Sequence, residues 1–272
     1  MSSSSHAKKA KKAKDKMRLR AATAADVDAI TELALAALPD DPVWPYRFPL
    51  ASQFPDHHKA YTRVRIAEYL DNVTTGVYQC MVVEAATTTA RAVSSGSSGS
   101  RSSSSSSQTA STSTSTSSTK QIVALSMWDL PASWRPRGAA PPRGATDHPN
   151  RPDANPERMQ AFRHALGAAR AERFDAPTRH GGEHLHLLLL ATHPAYRHRG
   201  AATMMLEWGR KEAARRKLPA VPLTLFSSPM GRAVYPRLGF TEVGTPVIVQ
   251  VLGEAEYLSF PAMEWLPEPP RS

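Results

Sequence analysis

Residues 184–203, His-Leu-His-Leu-Leu-Leu-Leu-Ala-Thr-His-Pro-Ala-Tyr-Arg-His-Arg-Gly-Ala-Ala-Thr, constrain the fold more than any other stretch of this chain. The apolar half is short and bounded by turn residues, which reads as a buried strand. A tight turn of small and basic residues follows, and then an amphipathic helix. A strand that opens into a helix through such a turn leaves several backbone N–H groups free at the helix's positive end, an arrangement that binds phosphate. Gly200 and the alanines beside it let the backbone approach an anion, and Arg197 and Arg199 add positive charge. The same turn also fits a solvated basic loop before a surface helix. A dinucleotide fingerprint needs Gly-x-Gly-x-x-Gly, and a P-loop ends in Gly-Lys-Ser/Thr; neither is present.

A second landmark follows at a fixed distance. Residues 221–226 (Val-Pro-Leu-Thr-Leu-Phe) read as a short strand. Ser227 to Phe240 then read as a short helix closed by Gly239, which suits the left-handed position past a helix end, with Phe240 starting the next strand. The turn Arg197-His198-Arg199-Gly200-Ala201-Ala202 fits Arg/Gln-x-x-Gly-x-Gly/Ala, and Tyr235-Pro-Arg-Leu-Gly239-Phe240 fits Tyr-x-x-x-Gly-Phe. Together they resemble the two signatures of the GCN5-related N-acetyltransferases, the GNAT family. The wording Leu-Ala-Thr-His-Pro-x-Tyr and Ser-Pro-x-Gly-x-x-x-Tyr is similar to GNAT-domain proteins of fungi. The resemblance implies an α/β (α+β) GNAT fold, with a mixed, mostly antiparallel central sheet flanked by helices.

The rest of the chain is consistent with one such domain over 17–268. Residues 1–16 form a Ser/Lys-rich tail. Residues 94–119 are nearly all Ser, Thr and Gly, with one charge at Arg101. Such a segment cannot bury enough surface to offset its ordering entropy, so an insertion over 87–119 is expected to be disordered. Seven prolines fall within 131–156, so the second insertion, 131–182, is read as Pro/Arg-rich and irregular apart from a helix over 156–174. Asn155 caps that helix and Pro156 sits in its first turn; it either lines the acceptor side or simply packs on the core. Arg18 to Thr23 read as a first strand. Asp26 marks the entry to a helix that Pro39 ends, and Asp56 is expected to cap a second. Residues 78–84 and 121–128 read as an antiparallel pair whose turn has become a long insertion. Loop closure grows costly only slowly with length, so the sheet tolerates it.

Charge and cysteine bound the function further. The formal net charge of +10 is concentrated in residues 1–20, where eight Lys/Arg meet one acid, leaving a nearly balanced remainder. The run of lysines over 8–14 is either a nuclear-import or nucleic-acid patch or a solubilising tail. Nucleic-acid contact is therefore expected only through the tail. The lone Cys80 excludes an internal disulfide framework and reads as a buried structural thiol. No apolar run approaches the roughly 20 residues of a membrane span, so the expectation is a soluble, cytoplasmic protein, nuclear if the lysine run acts as an address. No cluster has metal-ligand spacing, and no metal is expected.

The resemblance also implies chemistry at named positions. Acetyl-CoA would be the co-substrate, and a primary amine of a small molecule the acceptor, by direct transfer in a ternary complex. Backbone at Leu190, Ala191 and Thr192 would meet the pantetheine arm. The pyrophosphate would lie against His198, Arg199, Gly200, Ala201, Ala202 and Thr203, with Arg197 and Ser228 also on the cofactor side. Tyr235 falls on the family's general acid. His186, two residues from His184 and on the same strand face, is the candidate base, and Glu183 is the alternative carboxylate. Trp44, Tyr46 and Phe48 lie where the family's acceptor pocket is lined; the same residues also fit a proline-stiffened loop on the core. A protein, histone or N-terminal acetyltransferase, and a non-catalytic CoA-binding module, are the alternative functions.

Overall fold

The computed structural model describes residues 17–91, 115–138, 151–215 and 221–267. The tail read over 1–16, and the centres of both insertions (92–114 and 139–150), lie outside the described residues.

Seven strands form the central sheet. Their sequence ranges are β1 Arg18–Ala21, β2 Tyr78–Arg91, β3 Ser115–Asp129, β4 Leu185–Thr192, β5 Leu223–Phe226, β6 Thr241–Glu242 and β9 Ala262–Trp265. The spatial order is β1-β2-β3-β4-β5-β9-β6. Every pairing is antiparallel except β4 with β5. A separate hairpin pairs β7 (Val247–Gln250) with β8 (Tyr257–Phe260). The β2–β3 ladder is longer than its apolar pattern predicts: backbone pairing continues to Arg91 opposite Ser115, well into the Ser/Thr-rich stretch.

Alternation along the strands decides which helix covers which face. Cys80 and Val82 of β2, with Leu125 and Met127 of β3, pack against Ile30 and Leu33 of α1 (Val27–Ala37) and Ile66 and Leu70 of α3 (Pro55–Thr74). Val83 and Ala85 point the other way, onto Ala201 and Met205 of α5 (Ala201–Arg215). An extra residue in β3, Val123, lets both Val123 and Ala124 bury on the α5 side. Burial raises the Cys80 thiol to about 12, fitting a structural thiol.

The helix starts follow from local chemistry. Ahead of α1, the Thr23 amide and hydroxyl both donate to Asp26, at 2.8 and 3.0 Å, closing a capping box. Arg20 grips the same carboxylate and also Glu84 on β2, which ties β1 to the helix entry. α3 differs from expectation: Pro55 takes its first position, so Asp56 lies inside the first turn rather than at the cap. There it favours the helix dipole instead of filling a cap. α4 (Pro156–Arg170) starts as expected, the Asn155 side chain accepting from the Arg158 amide. A single π turn, Ala171–Asp175, continues it and delivers Phe174 and Asp175 to the start of β4. α4 packs through Phe162, Leu166 and Ala169 against the β7–β8 hairpin.

Candidate active site

The parallel junction opens the sheet. β5 pairs with β4 only from Leu185 to Leu187; beyond that, β4 runs on to Thr192 held by β3 alone. Leu188 is an extra residue opposite the Met127–Trp128 step of β3, so the strand bulges there and Leu188 is left exposed. The two strands therefore splay, and the β5-facing edge of residues 188–192 has no ladder partner among the described residues. A cavity of about 770 Å³ occupies the splay. Its walls include His186 and residues 187–190 of β4, Phe226 of β5 and Ser228 after it, Tyr235, and Trp44, Arg47 and Phe48.

Beyond β4 the chain forms a 3-10 turn, Pro194–Tyr196, before α5. His198 and Gly200 both adopt positive φ, +60° and +91°. Space lies open before Gly200, where an added Cβ would meet nothing within 4 Å. Its requirement is thus conformational, not one of tight packing. The Met204 amide is the first of α5 to bond back, to the Gly200 carbonyl at 3.0 Å. The three amides before it, on Ala201, Ala202 and Thr203, face outward at the positive end of a 15-residue helix. Arg197 is differently employed from the expectation. Its guanidinium bonds Asp40 at 2.7 Å and the carbonyls of Ala37 and Thr192, bracing the turn against the end of α1. Arg199 lies exposed over the Tyr196 ring.

From His186 on the cavity wall, four side chains form one hydrogen-bonded chain. Parallel pairing sets His186 beside Thr224. His186 Nδ1 lies 2.8 Å from Thr224 Oγ1, the same oxygen lies 2.6 Å from His184 Nδ1, and His184 Nε2 lies 2.7 Å from Asp175. Donor and acceptor rules fix the direction with both rings neutral. The carboxylate only accepts, so His184 Nε2–H donates to it; His184 Nδ1 then accepts from the Thr224 hydroxyl, which accepts from His186 Nδ1–H. His186 Nε2 keeps its lone pair, on a ring that lines the cavity. Burial pushes the His186 pKa well below the usual imidazole range, with the positive charge of Arg170 adding to it. Burial lowers His184 too, but Asp175 opposes that shift. A proton is consequently easier to hold on His184 than on His186.

Tyr235 lies between two 3-10 turns, Gly231–Ala233 and Pro236–Leu238, where the sequence pattern predicts one short helix. It is buried, with its ring edge-on to Phe240. Burial, assisted by the nearby charge of Asp41, raises its phenol well above the usual range. Only a glycine fits at 231, since a Cβ there would sit 2.6 Å from the Tyr235 ring. Gly239 adopts the left-handed conformation (φ +78°) and Phe240 is buried, as their spacing predicts. The Ser228 hydroxyl donates to Asp41 and accepts from the Gly231 amide at 3.3 Å.

Two expected site residues are placed elsewhere. Glu183 accepts from the amide and hydroxyl of Ser133 and does not line the cavity. Tyr46 is buried beneath α2 (Val43–Arg47) against the Val247, Val249 and Phe260 cluster. The reason is helical geometry. Trp44 and Phe48, four apart, share the cavity face, whereas a residue two positions along lies on the opposite side. Sequence reasoning passed over Thr224, Asp175 and Arg47. A polar residue midway through the apolar strand Leu-Thr-Leu-Phe, and an arginine inside an aromatic and proline cluster, were the available signals.

Residues 152–253 match the family model for the acetyltransferase (GNAT) domain. Several solved structures are similar to this chain. A histone acetyltransferase HPA2 and related acetyltransferase from Corynebacterium glutamicum is 19% identical, with 94% of this chain and 99% of that chain covered and a TM-score of 0.50. A polyamine N-acetyltransferase from Drosophila melanogaster, which forms N-acetylagmatine, is 14% identical over 93% and 100% of the two chains, with a TM-score of 0.47. A putative acetyltransferase from Salmonella typhimurium, solved with its cofactor acetyl-CoA, is 14% identical over 94% and 97%, with a TM-score of 0.43. The likeness to the GNAT acetyltransferase family is carried by residues 152–253. No curated protein matches its sequence.

Proposed function

We propose that the protein transfers an acetyl group from acetyl-CoA to the primary amine of a small molecule. The observation that carries this reading is one cavity, lined by His186, Tyr235 and residues 187–190 of β4, on the strand that runs on into the turn bearing the outward amides of α5. Those amides, with the open space before Gly200, fit a pyrophosphate, and Arg199 adds charge beside it. The unpaired edge at Leu190, Ala191 and Thr192 fits the amides of a pantetheine arm. Arg197 shapes the turn in this scheme, and Ser228 fixes Asp41 at the cavity wall.

Acetyl-CoA held there supplies an activated acetyl thioester and a thiol leaving group. His186 Nε2 accepts the proton that the amine loses as it attacks. The Nδ1 proton of His186 then passes to Thr224, whose own proton passes to His184 Nδ1. The charge comes to rest on a ring paired with Asp175 instead of on one whose hydrogen-bond partner is a neutral hydroxyl. Tyr235 keeps its phenolic proton at neutral pH and gives it to the departing sulfur. Water excluded by the aromatic wall at Trp44 and Phe48 keeps the thioester from hydrolysis. The volume of the cavity, about 770 Å³, falls in the range of small-molecule sites.

Titration calorimetry with acetyl-CoA, followed by thiol-release assays over an amine panel, tests the reading. Saturable acetyl-CoA binding and amine-dependent thiol release are expected, and Tyr235→Phe is expected to lower kcat more than it raises KM. A folded protein that binds no acetyl-CoA refutes the proposal.

A further inference from the structure

Five arginines line the cavity: Arg47, Arg65, Arg151, Arg163 and Arg170. Three of them are paired with carboxylates. Arg65 pairs with Glu68 at 3.2 Å, Arg151 with Asp153, and Arg170 with Asp129 at 2.7 Å. Arg163 has contacts of its own. Arg47 differs. It has no carboxylate within ion-pair distance among the described residues, and its one hydrogen bond runs from Nε to the Val43 carbonyl at 3.2 Å.

The acids on the cavity wall do not serve it either. Asp41 accepts from the Val43 amide and from Ser228, and Glu68 is held by Arg65. Aromatic rings hold the guanidinium in place: its carbon lies 4.5 Å from the centre of Phe162, 5.1 Å from Phe48 and 5.4 Å from Trp44. Stacking of this kind satisfies the faces of the planar group and leaves its edge donors unused. Burial lowers the Arg47 pKa to about 10, which still leaves it cationic at neutral pH. A fixed, aromatic-framed fork of N–H donors opening on a cavity is the geometry that recognises a carboxylate.

We infer that the acceptor is an amine that also carries an anionic group, a carboxylated amine with an apolar body of the amino-acid kind, whose anion sits on Arg47. The inference rests on the acetyltransferase reading above. The apolar body lies among Trp44, Phe48, Phe162 and Tyr69, which wall the same end of the cavity. Its amine then faces His186 across the splay. A polyamine brings only positive charge toward Arg47 and is disfavoured.

The test compares amines that differ only in the carboxylate: phenylalanine with phenethylamine, tryptophan with tryptamine, and agmatine as the wholly cationic case. The wild type should favour the carboxylated member of at least one pair by about ten- to a hundredfold in kcat/KM, the worth of a charge-assisted hydrogen bond. Arg47→Met should collapse that preference through KM, and Arg47→Lys should restore part of it. Binding of the N-acetylated products to the CoA-loaded enzyme, read by calorimetry, gives the same comparison if turnover is slow. A preference for phenethylamine, tryptamine or agmatine overturns the inference while leaving the acetyltransferase reading intact. So does a carboxylate preference that survives in Arg47→Met. Loss of acetyl-CoA binding in the folded wild type overturns both.

Discussion

At the scale of single residues, Thr224 bears the most unusual burden. One fully buried hydroxyl serves two histidine rings. Both rings are held below the ordinary imidazole pKa in the fold, so the unfolded chain binds more protons than the native one just below pH 6.5. The sign follows: this stability is fully present above pH 6.5 and is lost as the pH falls toward the folded values. Each ring contributes at most about 1.4 kcal/mol per pH unit in that window. Urea midpoints should therefore fall from pH 7.5 to pH 5, and replacing both histidines by Gln should flatten that dependence. A midpoint independent of pH over this range would show that the rings titrate normally. His184 and His186 themselves are legible from sequence because a strand puts every second residue on one face. Thr224 is not, since its partners lie 38 and 40 residues away and only the parallel register of β4 and β5 brings them together. Asp175 is not, since it ends a π turn that continues α4 toward the start of β4.

At the scale of elements, α5 joins the candidate pyrophosphate site to the sheet, and its seat depends on Gly209. A Cβ at that position would lie 2.8 Å from the Trp128 ring and 3.1 Å from Leu223. Trp128 is fully buried, so it has little room to yield. Two effects compete in Gly209→Ala. Helix propensity favours alanine by about 1 kcal/mol. Overpacking a rigid core costs about 1–3 kcal/mol. The second is the larger, and the variant should be less stable by about 1 kcal/mol, read as a lower urea midpoint with an unchanged slope. A more stable variant would show that the helix can lift off Trp128. The identity of such elements was largely legible: the β4–turn–α5 unit, the Asn155 cap and the Gly239 turn all rest on short-range chemistry. The short helix α2 and the β7–β8 hairpin were not. α2 carries Pro45 and spans five residues, too few for a helical period to show. Its structure comes from packing between α3, α4 and the hairpin, with Tyr46 turned into the core.

At the scale of the molecule, the sheet consists of two parts that meet along a three-residue parallel junction, Leu185–Leu187 against Leu223–Leu225. One part is β1 to β4 under α1 and α3; the other is β5, β9 and β6. α5 spans the seam, its Leu206 and Ala213 packing with residues of both parts. Under the proposed function acetyl-CoA lies in that seam, with pyrophosphate on α5 and pantetheine along β4. It should then act as a brace between the parts. At a hundredfold excess over Kd, a ligand that binds only the folded state adds about 2.7 kcal/mol. For a domain of this size that corresponds to a rise in Tm of about 5–10 °C. Pantetheine at the same concentration lacks the phosphates and should raise Tm much less. Gly200→Val, which forces a branched side chain into φ +91° at the mouth of α5, should shrink the difference between the two ligands. The variant's own loss of stability does not confuse the result, because each shift is measured against the ligand-free form of the same protein. Equal shifts from acetyl-CoA and pantetheine would mean that the α5 amides hold no phosphate, and the seam would then have to be stabilised by the pantetheine edge of β4 alone.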